Sequence, residues 1–457
     1  MGLYDSWNKN FHAVLQEIQL TMKFSHSSAL LCFILLSCEN KKDDRPNIIY
    51  IMVDDMGYAD LSIYGRKDYS TPVLDSFAKE GMRFTQAYAA APVCTPSRVA
   101  FMTGRFPARN PIGLREPLLM DSTDIHMGLS PELPTVSSLL KKSGYKTALF
   151  GKWHLGFNPK FFPAAHGFDY FFGITSGAAD YISHQYEGKD VLFENNEPVK
   201  MKGYLTDQIT DRAVDYIEKT KDPFFISLQY TSPHWPWQAP GDPAYPDSVG
   251  MSTGGNVDTF ARMVQNLDQN IGKVLTSIES SGLRNNTLII FTSDNGGERY
   301  SDMGPLKGKK LELWEGGIRV PAFVRWPGKI NPNTTTDQVA VTMDWTVTIL
   351  HAAEVPLGDD LKFDGMNLMP LLKEEGKPFN RNLYWRISNR ARWDAYRSGE
   401  WKYIKTPVSE ALYNLVSDIG ETTDLKDREP DTFQRLKAAF ENLDHEMLEP
   451  FVFPKKK

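Results

Sequence analysis

Two acidic pairs and one cysteine are the groups in this sequence that could do chemistry together. Asp54-Asp55 directly follows the apolar run Asn47–Val53, and Asp294-Asn295 comes just after the run Thr287–Thr292. Hard divalent cations take oxygen ligands, so two such pairs on adjacent strand ends could converge on one ion. A single acidic pair reads more simply as a helix cap or a turn. Two pairs, each after a buried strand, favour a metal site. His-x-x-x-His and Cys-x-x-Cys spacings are missing, which argues against zinc.

Cys94 heads the stretch Cys94-Thr95-Pro96-Ser97-Arg98. Thr95 and Pro96 resemble an N-cap followed by proline at the first helical position. That predicts a helix through Val99–Thr103 ending at Gly104, with Cys94 facing its positive end and Arg98 in its first turn. Helix amides, dipole and guanidinium together make a cradle for a tetrahedral oxyanion. On these residues alone, a thiolate nucleophile and a buried structural cysteine both stay open.

Such groups need a scaffold that carries strand ends to one place. Asn47–Val53 is apolar and β-branched, the pattern of a fully buried strand. Further strands are expected at Thr147–Phe150, Phe224–Tyr230, Thr287–Thr292 and Val320–Trp326. Helical patterns lie between them at Val73–Glu80, Thr135–Lys142, Thr206–Thr220 and Val257–Ser280. This alternation predicts an α/β fold: a large, mostly parallel sheet flanked by helices, with ligands beyond the carboxyl ends of its strands. After Pro370 the texture changes. Leu383–Ile387, Ala395–Arg397, Trp401–Lys405 and Ala411–Leu415 read as a smaller antiparallel sheet, followed by a helix at about Asp431–Met447. The expected organisation is a catalytic domain over 46–375 and a C-terminal subdomain over 376–457.

The bulk numbers agree with a folded protein of this size. The 457 residues are 41% hydrophobic, 24% charged and 12% aromatic, with no repeat or low-complexity tract. A net charge of −6 argues against nucleic acid as the main partner. An anionic substrate would need a few focused basic side chains, because the global field repels it.

Cys32 and Cys38 lie in or just after the apolar run Ala29–Leu36, with Met22 and Lys23 before it. A basic start, a short apolar core and small residues are the layout of a secretion signal, and the run is too short to span a membrane as a stable helix. Leu35-Leu36-Ser37-Cys38 resembles a bacterial lipobox, in which Cys38 would be lipidated after cleavage. Residues 1–45 are thus read as a signal and lipoprotein segment, with Met22 as the start of translation and Met1–Thr21 as a spurious extension. A buried helix is the plainer alternative. The expected location is exported: periplasmic, anchored by lipid in the outer membrane, or at the cell surface. Cys94 would then be the one thiol left in the mature body, where a lone cysteine in an exported enzyme invites a chemical role.

Cys94-Thr95-Pro96-Ser97-Arg98, followed by Phe101-Met102-Thr103-Gly104-Arg105, resembles the signature of the type I sulfatase family, the formylglycine-dependent branch of the alkaline phosphatase superfamily. Gly144-Tyr145-Lys146-Thr147 through Gly151-Lys152-Trp153-His154 resembles its second signature, with bulky Phe150 at a usually smaller position. Pro46-Asn47-Ile48, Asp54-Asp55-Met56-Gly57, Ser232-Pro233-His234, Asp294-Asn295-Gly296 and Glu315-Gly316-Gly317-Ile318-Arg319 extend the likeness in family order from about residue 45 to 420. The chain resembles arylsulfatases and N-acetylgalactosamine sulfatases within that family, and Gly177–His184 resembles sulfatases acting on sulfated hexosamines.

The resemblance implies an alkaline phosphatase-like fold and a set of roles. Cys94 would be oxidised by a formylglycine-generating or anaerobic sulfatase-maturating enzyme to Cα-formylglycine (3-oxoalanine). Asp54, Asp55, Asp294, Asn295 and an oxygen of converted Cys94 would bind calcium. Arg98 would orient the nucleophile, and Lys152 and Lys310 would hold sulfate oxygens. Lys310 is chosen over Lys307 by its distance before Glu315-Gly316-Gly317. The family usually has glycine after this lysine, whereas Leu311 follows here. His154 and His234 would flank the nucleophile and the leaving group, and Ser176 is a candidate for the family's serine contact. In the implied chemistry one hydroxyl of a hydrated aldehyde attacks sulfur. Calcium, Lys152 and Lys310 neutralise charge, and His234 with Lys310 protonates the departing alkoxide. His154 then deprotonates the second hydroxyl, expelling sulfate without a second attack at sulfur.

Each assignment has a plainer rival. Lys152 and His154 could be exposed charges, and His234 could merely fill the proline-rich loop Ser232–Pro240. His184 is balanced between substrate contact and loop packing, and Trp235 and Trp237 between stacking on a sugar ring and ordinary packing. His126, His166, His351 and His445 fit no motif and read as structural. Rival functions are a formylglycine-dependent phosphonate or phosphodiester hydrolase and a non-catalytic glycan-binding lipoprotein. A two-metal phosphatase lacks its extra histidine ligands. Seven basic residues (Arg381, Arg386, Arg390, Arg392, Arg397, Lys402, Lys405) stand against Asp394 and Glu400 in 381–405. Either this is a solvated face, or Arg390 and Arg392 border the pocket and read a polyanionic glycan. A sulfated polysaccharide or its oligosaccharides is the expected substrate.

Overall fold

The computed structural model describes residues 43–121, 123–245, 250–389 and 391–450. From Arg45 onward the chain forms one compact unit. In chain order its strands are β1 (Asn47–Val53), β2 (Met82–Tyr88), β3 (Lys146–Gly151), β4 (Tyr170–Ile174), β5 (Gln185–Tyr186), β6 (Lys189–Asp190), β7 (Leu192–Glu194), β8 (Glu197–Pro198) and β9 (Phe224–Gln229). There follow β10 (Thr287–Ser293), β11 (Arg319–Arg325), β12 (Thr334–Thr336), β13 (Ala340–Val341), β14 (Asn382–Ile387), β15 (Trp393–Ser398), β16 (Trp401–Lys405) and β17 (Glu410–Asn414).

The large sheet runs β12-β2-β11-β10-β1-β9-β3-β4-β7-β8, with β13 also pairing β2. Its centre, β10-β1-β9-β3-β4, is parallel, while β11 runs antiparallel to both of its neighbours. Alternate residues of β1 show why this strand is apolar throughout. Ile48, Tyr50 and Met52 enter one core with Val136, Leu140 and Trp345, and Ile49, Ile51 and Val53 enter the other with Leu74, Ile209 and Leu267. A strand covered on both faces has no solvent side on which to carry polar residues.

Helices close the two faces by the same logic. In the helix Val257–Ser280 the buried Phe260, Met263, Val264, Leu267, Ile271, Val274 and Ile278 recur every three or four residues, one stripe of a 3.6-residue helix. Asn256 caps it by accepting the amide of Thr259 at 2.8 Å. Burying such side chains contributes roughly 1.5–3 kcal/mol each, far more than the cap at about 1 kcal/mol.

Strand β2 and the helix Thr342–Ala352 were not apparent from sequence pattern. β2 (MRFTQAY) carries polar residues because Arg83, Thr85 and Gln86 are only half-buried. The helix reads TMDWTVTILHA, rich in β-branched residues, yet ten of its eleven residues are buried, so packing overrides propensity. The helix carrying Cys94 corrects one expectation. It spans Cys94–Thr103 with Val93 as its N-cap, so Cys94 lies inside the first turn rather than ahead of Thr95. The Thr95 hydroxyl is spent elsewhere, accepting the amide of Leu118 at 3.1 Å. The stop is where sequence put it: Gly104 adopts φ 66°, and its amide closes on Ala100.

The C-terminal sheet β14-β15-β16-β17 is antiparallel throughout and is backed by the helix Pro430–Asp444. Its inner face shares a core with Tyr88, Val93 and Cys94. The Trp385 indole donates to the carbonyl of Ala89 at 2.8 Å, and the fully buried Lys402 amine bridges Glu315 at 3.0 Å and Glu421 at 2.8 Å. Glu315 begins the turn that follows Lys310, so this sheet braces a loop of the candidate site.

Candidate active site

The in-register pairing of β1 with β10 sets Val53 beside Ser293, which brings Asp54 and Asp294 together at the carboxyl ends of neighbouring strands. On the other side of β1, Gln229 of β9 pairs with both Met52 and Gly151, so Lys152 emerges next to Asp54. The Lys152 amine lies 2.6 Å from Asp54 Oδ2. Lys310, from the loop after β10, lies 2.7 Å from Asp55 Oδ2. Asn295 donates to Asp55 Oδ1 at 2.8 Å. Arg98, one turn along the helix from Cys94, reaches Asp294 at 2.9 Å and Asp54 at 3.7 Å. Its other nitrogen donates to Gln229 Oε1 and to the carbonyl of Lys152, both at 3.0 Å.

Formal charges nearly cancel: three carboxylates (Asp54, Asp55, Asp294) face three cations (Arg98, Lys152, Lys310). Burial pushes the Asp54 carboxyl up, but the cations around it, Lys152 first and then Arg98 and Lys310, outweigh it and hold it below its usual range. Burial and the neighbouring Asp54 raise Asp294 to about 7. Two oxygens on this floor, Asp54 Oδ1 and Asn295 Oδ1, are buried without a hydrogen-bond partner. Buried acceptors of this kind are rare in folded proteins, and an all-oxygen set with spare lone pairs fits a hard cation such as calcium. One nitrogen also approaches: Asp54, Asp55 and His234 can each bring a donor atom within 4.8 Å of the others.

Cys94 is 2% exposed and forms part of the floor of a cavity of about 670 Å³ with His154, His234 and Lys310. Burial raises its thiol pKa more than Lys152 and Lys310 lower it, so the side chain is a neutral thiol rather than a ready thiolate. His154 Nε2 lies 2.8 Å from the carbonyl of Leu118. A carbonyl can only accept, so Nε2 carries the hydrogen and Nδ1, which has no partner, presents a lone pair. His234 is the reverse, with Nδ1 donating to the Trp235 carbonyl at 2.6 Å and Nε2 3.6 Å from Asp55. Burial and then a nearby lysine hold both rings neutral, Lys152 for His154 and Lys310 for His234, with His234 lowered to about 4.

Three non-glycine residues around this floor, Asp55, His154 and Leu311, adopt φ of 65°, 55° and 72°. Left-handed backbone is costly for side chains with a Cβ and collects at functional sites. Leu311 stands in the conformation that glycine prefers, its amide held by the Pro92 carbonyl at 2.8 Å, and its side chain lines the cavity. Leu311→Gly and Leu311→Ala both lose that side chain, but only glycine relieves the backbone. The glycine variant should therefore be the more stable by about 1 kcal/mol, roughly 1 °C in a unit of this size, the reverse of the usual order. An alanine variant melting above the glycine variant would contradict the left-handed geometry.

The other expected site residues fall in different places. Lys307 stacks on Trp314 at 3.6 Å and stays off the floor. The Ser176 hydroxyl donates to the Ala178 carbonyl at 2.6 Å, and His184 bonds the Gly203 carbonyl at 2.9 Å; neither lines the cavity. Trp235 lines it, whereas Trp237 packs on Tyr300. Arg392 turns away to Asp394 at 2.8 Å and Asp444 at 2.7 Å, because those carboxylates already lie on its own sheet and the helix behind it. Arg390 and Cys38 lie outside the described residues. Sequence reasoning missed Gln229, which holds Arg98, and the cavity residues Tyr186, Glu298, Lys309 and Trp393; none carries a local motif. Burial, and then Asp55, push the Glu298 carboxyl above its usual range.

Comparison with known proteins gives a consistent set of likenesses. The sulfatase family model matches residues 46–355, and a model of the C-terminal part of N-sulphoglucosamine sulphohydrolase matches 308–445. The chain is 33% identical to the uncharacterized sulfatase YdeN of Escherichia coli (strain K12), over 76% of this chain and 70% of that one. It is 33% identical to N-acetylgalactosamine-6-sulfatase of Homo sapiens, over 74% of this chain and 68% of that one. The crystal structure of Ps i-CgsB in complex with k-i-k-neocarrahexaose superposes with a TM-score of 0.81 at 30% identity, covering 90% of this chain and 95% of the other.

Proposed function

The chain belongs to the sulfatase family and is a sulfuric ester hydrolase, and from that premise we propose that it desulfates a sulfated polysaccharide or its oligosaccharides with a nucleophile derived from Cys94. The observation that carries this reading is Cys94 and Lys310 on the floor of one cavity, joined to a buried network of Asp54, Asp55, Asp294, Arg98 and Lys152. A neutral thiol held by burial is a poor nucleophile, which supports conversion of Cys94 to formylglycine by a dedicated maturating enzyme. Formylglycine at residue 94 supplies a hydrated aldehyde, two hydroxyls on one carbon, in place of the thiol. Asp54, Asp55, Asp294 and Asn295, with an oxygen of residue 94, are the ligands we assign to calcium. Calcium, when bound, supplies positive charge against the sulfuryl oxygens, tipping a floor of balanced charges toward an anionic ester.

The chain's own residues complete the scheme. Arg98, clamped by Gln229 and Asp294, keeps the first helical turn and Cys94 in register with the carboxylates. Lys152 and Lys310 are the ammonium groups we assign to the sulfate oxygens. The free Nδ1 of His154 suits it to take a proton beside residue 94, and the Lys310 ammonium, with His234 beside it, is assigned to give one to the leaving oxygen. Closeness of Gly177 to His154 supports a fixed ring: a Cβ there would stand 2.7 Å from the imidazole.

A glycan substrate is supported by the aromatic cavity walls, which match the apolar faces of sugar rings, and by the carrahexaose held by a structural relative. We also propose export with lipidation at Cys38, which rests on the run Ala29–Leu36 outside the described residues. The test is sulfate release from an aryl sulfate and a panel of defined sulfated oligosaccharides, beside a phosphate diester and a phosphonate ester. Sulfate release with the esters of phosphorus at least about 100-fold slower in kcat/KM is the expected result. Faster turnover of the phosphorus esters would overturn the reading.

A further inference from the structure

We infer that the outer cavity is built for a sugar bearing no second anionic group beside the sulfate to be removed, and that Glu298 enforces this choice. The inference rests on the sulfatase reading of the floor. It starts from where the basic residues of 381–405 go. Arg381 pairs with Asp344, Arg386 with Asp444 at 2.6 Å, and Arg392 with Asp394 and Asp444. Arg397 is bound by Tyr88 and Gln86, Lys402 by Glu315 and Glu421, and Lys405 lies 3.9 Å from Glu410. Arg381, Arg397 and Lys402 tie the C-terminal sheet to the rest of the molecule, and Arg386, Arg392 and Lys405 are spent on carboxylates of the same subdomain. What the segment lends the cavity among its described residues is Ile387, Asn389, Ala391 and Trp393.

Above the floor, the described charged side chains lining the cavity are Glu298, Glu312 and Lys309, two negative charges to one positive. Glu298 Oε2 is buried and has no hydrogen-bond partner. A carboxylate accepts hydrogen bonds and donates none, so the group this carboxylate suits in the cavity is a sugar hydroxyl. A second sulfate or a uronate at the same place would offer it no proton and would meet its charge at short range in a partly dehydrated pocket. Trp235, Tyr186 and Trp393 on the walls offer ring faces to the uncharged parts of the sugar. The substrate class is therefore a glycan sulfated once on the reacting ring, with free hydroxyls beside that sulfate.

The experiment uses the full chain with residue 94 converted and two matched oligosaccharides. One is sulfated once on the reacting ring, and the other carries a second sulfate on the adjacent carbon. The wild type should prefer the first by about tenfold or more in kcat/KM. Glu298→Gln, which keeps the size and an acceptor oxygen but drops the charge, should narrow that ratio about tenfold, the effect expected of one unit charge several Å away. A wild type that prefers the doubly sulfated sugar would overturn the inference, whatever the variant does. So would an unchanged ratio in Glu298→Gln. Release from an aryl sulfate with neither saccharide turned over would overturn the inference alone. No release from any of the three would overturn the reading of the floor, and the inference with it.

Discussion

Cys94→Ala is expected to lower sulfate ester turnover by at least about 10⁴-fold while the protein remains folded. Cys94 sits at the cavity floor, close enough to Lys152, Lys310, Asp54 and Asp294 to feel their charges. Without a nucleophile at this point those groups can bind an ester but have nothing to attack it with. The structural cost should be small, because one sulfur atom is removed at the wall of an existing cavity rather than from a packed interior; about 1 kcal/mol is the expected scale. Sulfate release measured beside the thermal midpoint separates the two effects. Turnover within tenfold of the wild type would remove Cys94 from the chemistry and leave it a buried structural residue.

Stripping divalent cations should cost activity by about 10³-fold or more, with recovery on adding calcium. It should lower stability far less. Asp54 and Asp55 already lie against Lys152 and Lys310, so the carboxylates do not face one another unscreened when the ion leaves. An ion present at 100 times its Kd adds about 2.7 kcal/mol, which for roughly 400 residues is about 3 °C in thermal midpoint. Chelation followed by calorimetry and an activity assay checks both numbers. If exhaustive chelation moves neither rate nor melting temperature, the assignment of Asp54, Asp55, Asp294 and Asn295 is wrong.

What could be read in the sequence was whatever has a local cause. β1 is apolar because both its faces are covered, and the acidic pairs stand at the carboxyl ends of parallel strands, where ligands gather in sheets of this kind. Lys310, rather than Lys307, reaches Asp55, in keeping with its spacing to Glu315. The features that escaped depend on distant partners. Gln229 matters only because β9 lies beside both β1 and β3. The helix Thr342–Ala352 exists because packing on all sides outweighs its β-branched residues. Charge patterning in 381–405 looks free until Asp344, Asp444, Glu315 and Glu421 are brought to it by the fold. Thr95 resembled a cap, yet the hydroxyl found Leu118 instead. Left-handed backbone at Asp55, His154 and Leu311 leaves no mark on residue type, since none of the three is glycine.

The most direct test of the account is the mass of the peptide containing residue 94, measured on the same preparations whose sulfate release is assayed. The account predicts that active protein shows the mass loss expected for thiol to aldehyde at Cys94. It also predicts that the rate rises in proportion to the converted fraction when a maturating enzyme is co-expressed. Full sulfatase activity from protein whose residue 94 is entirely an unmodified thiol would contradict it.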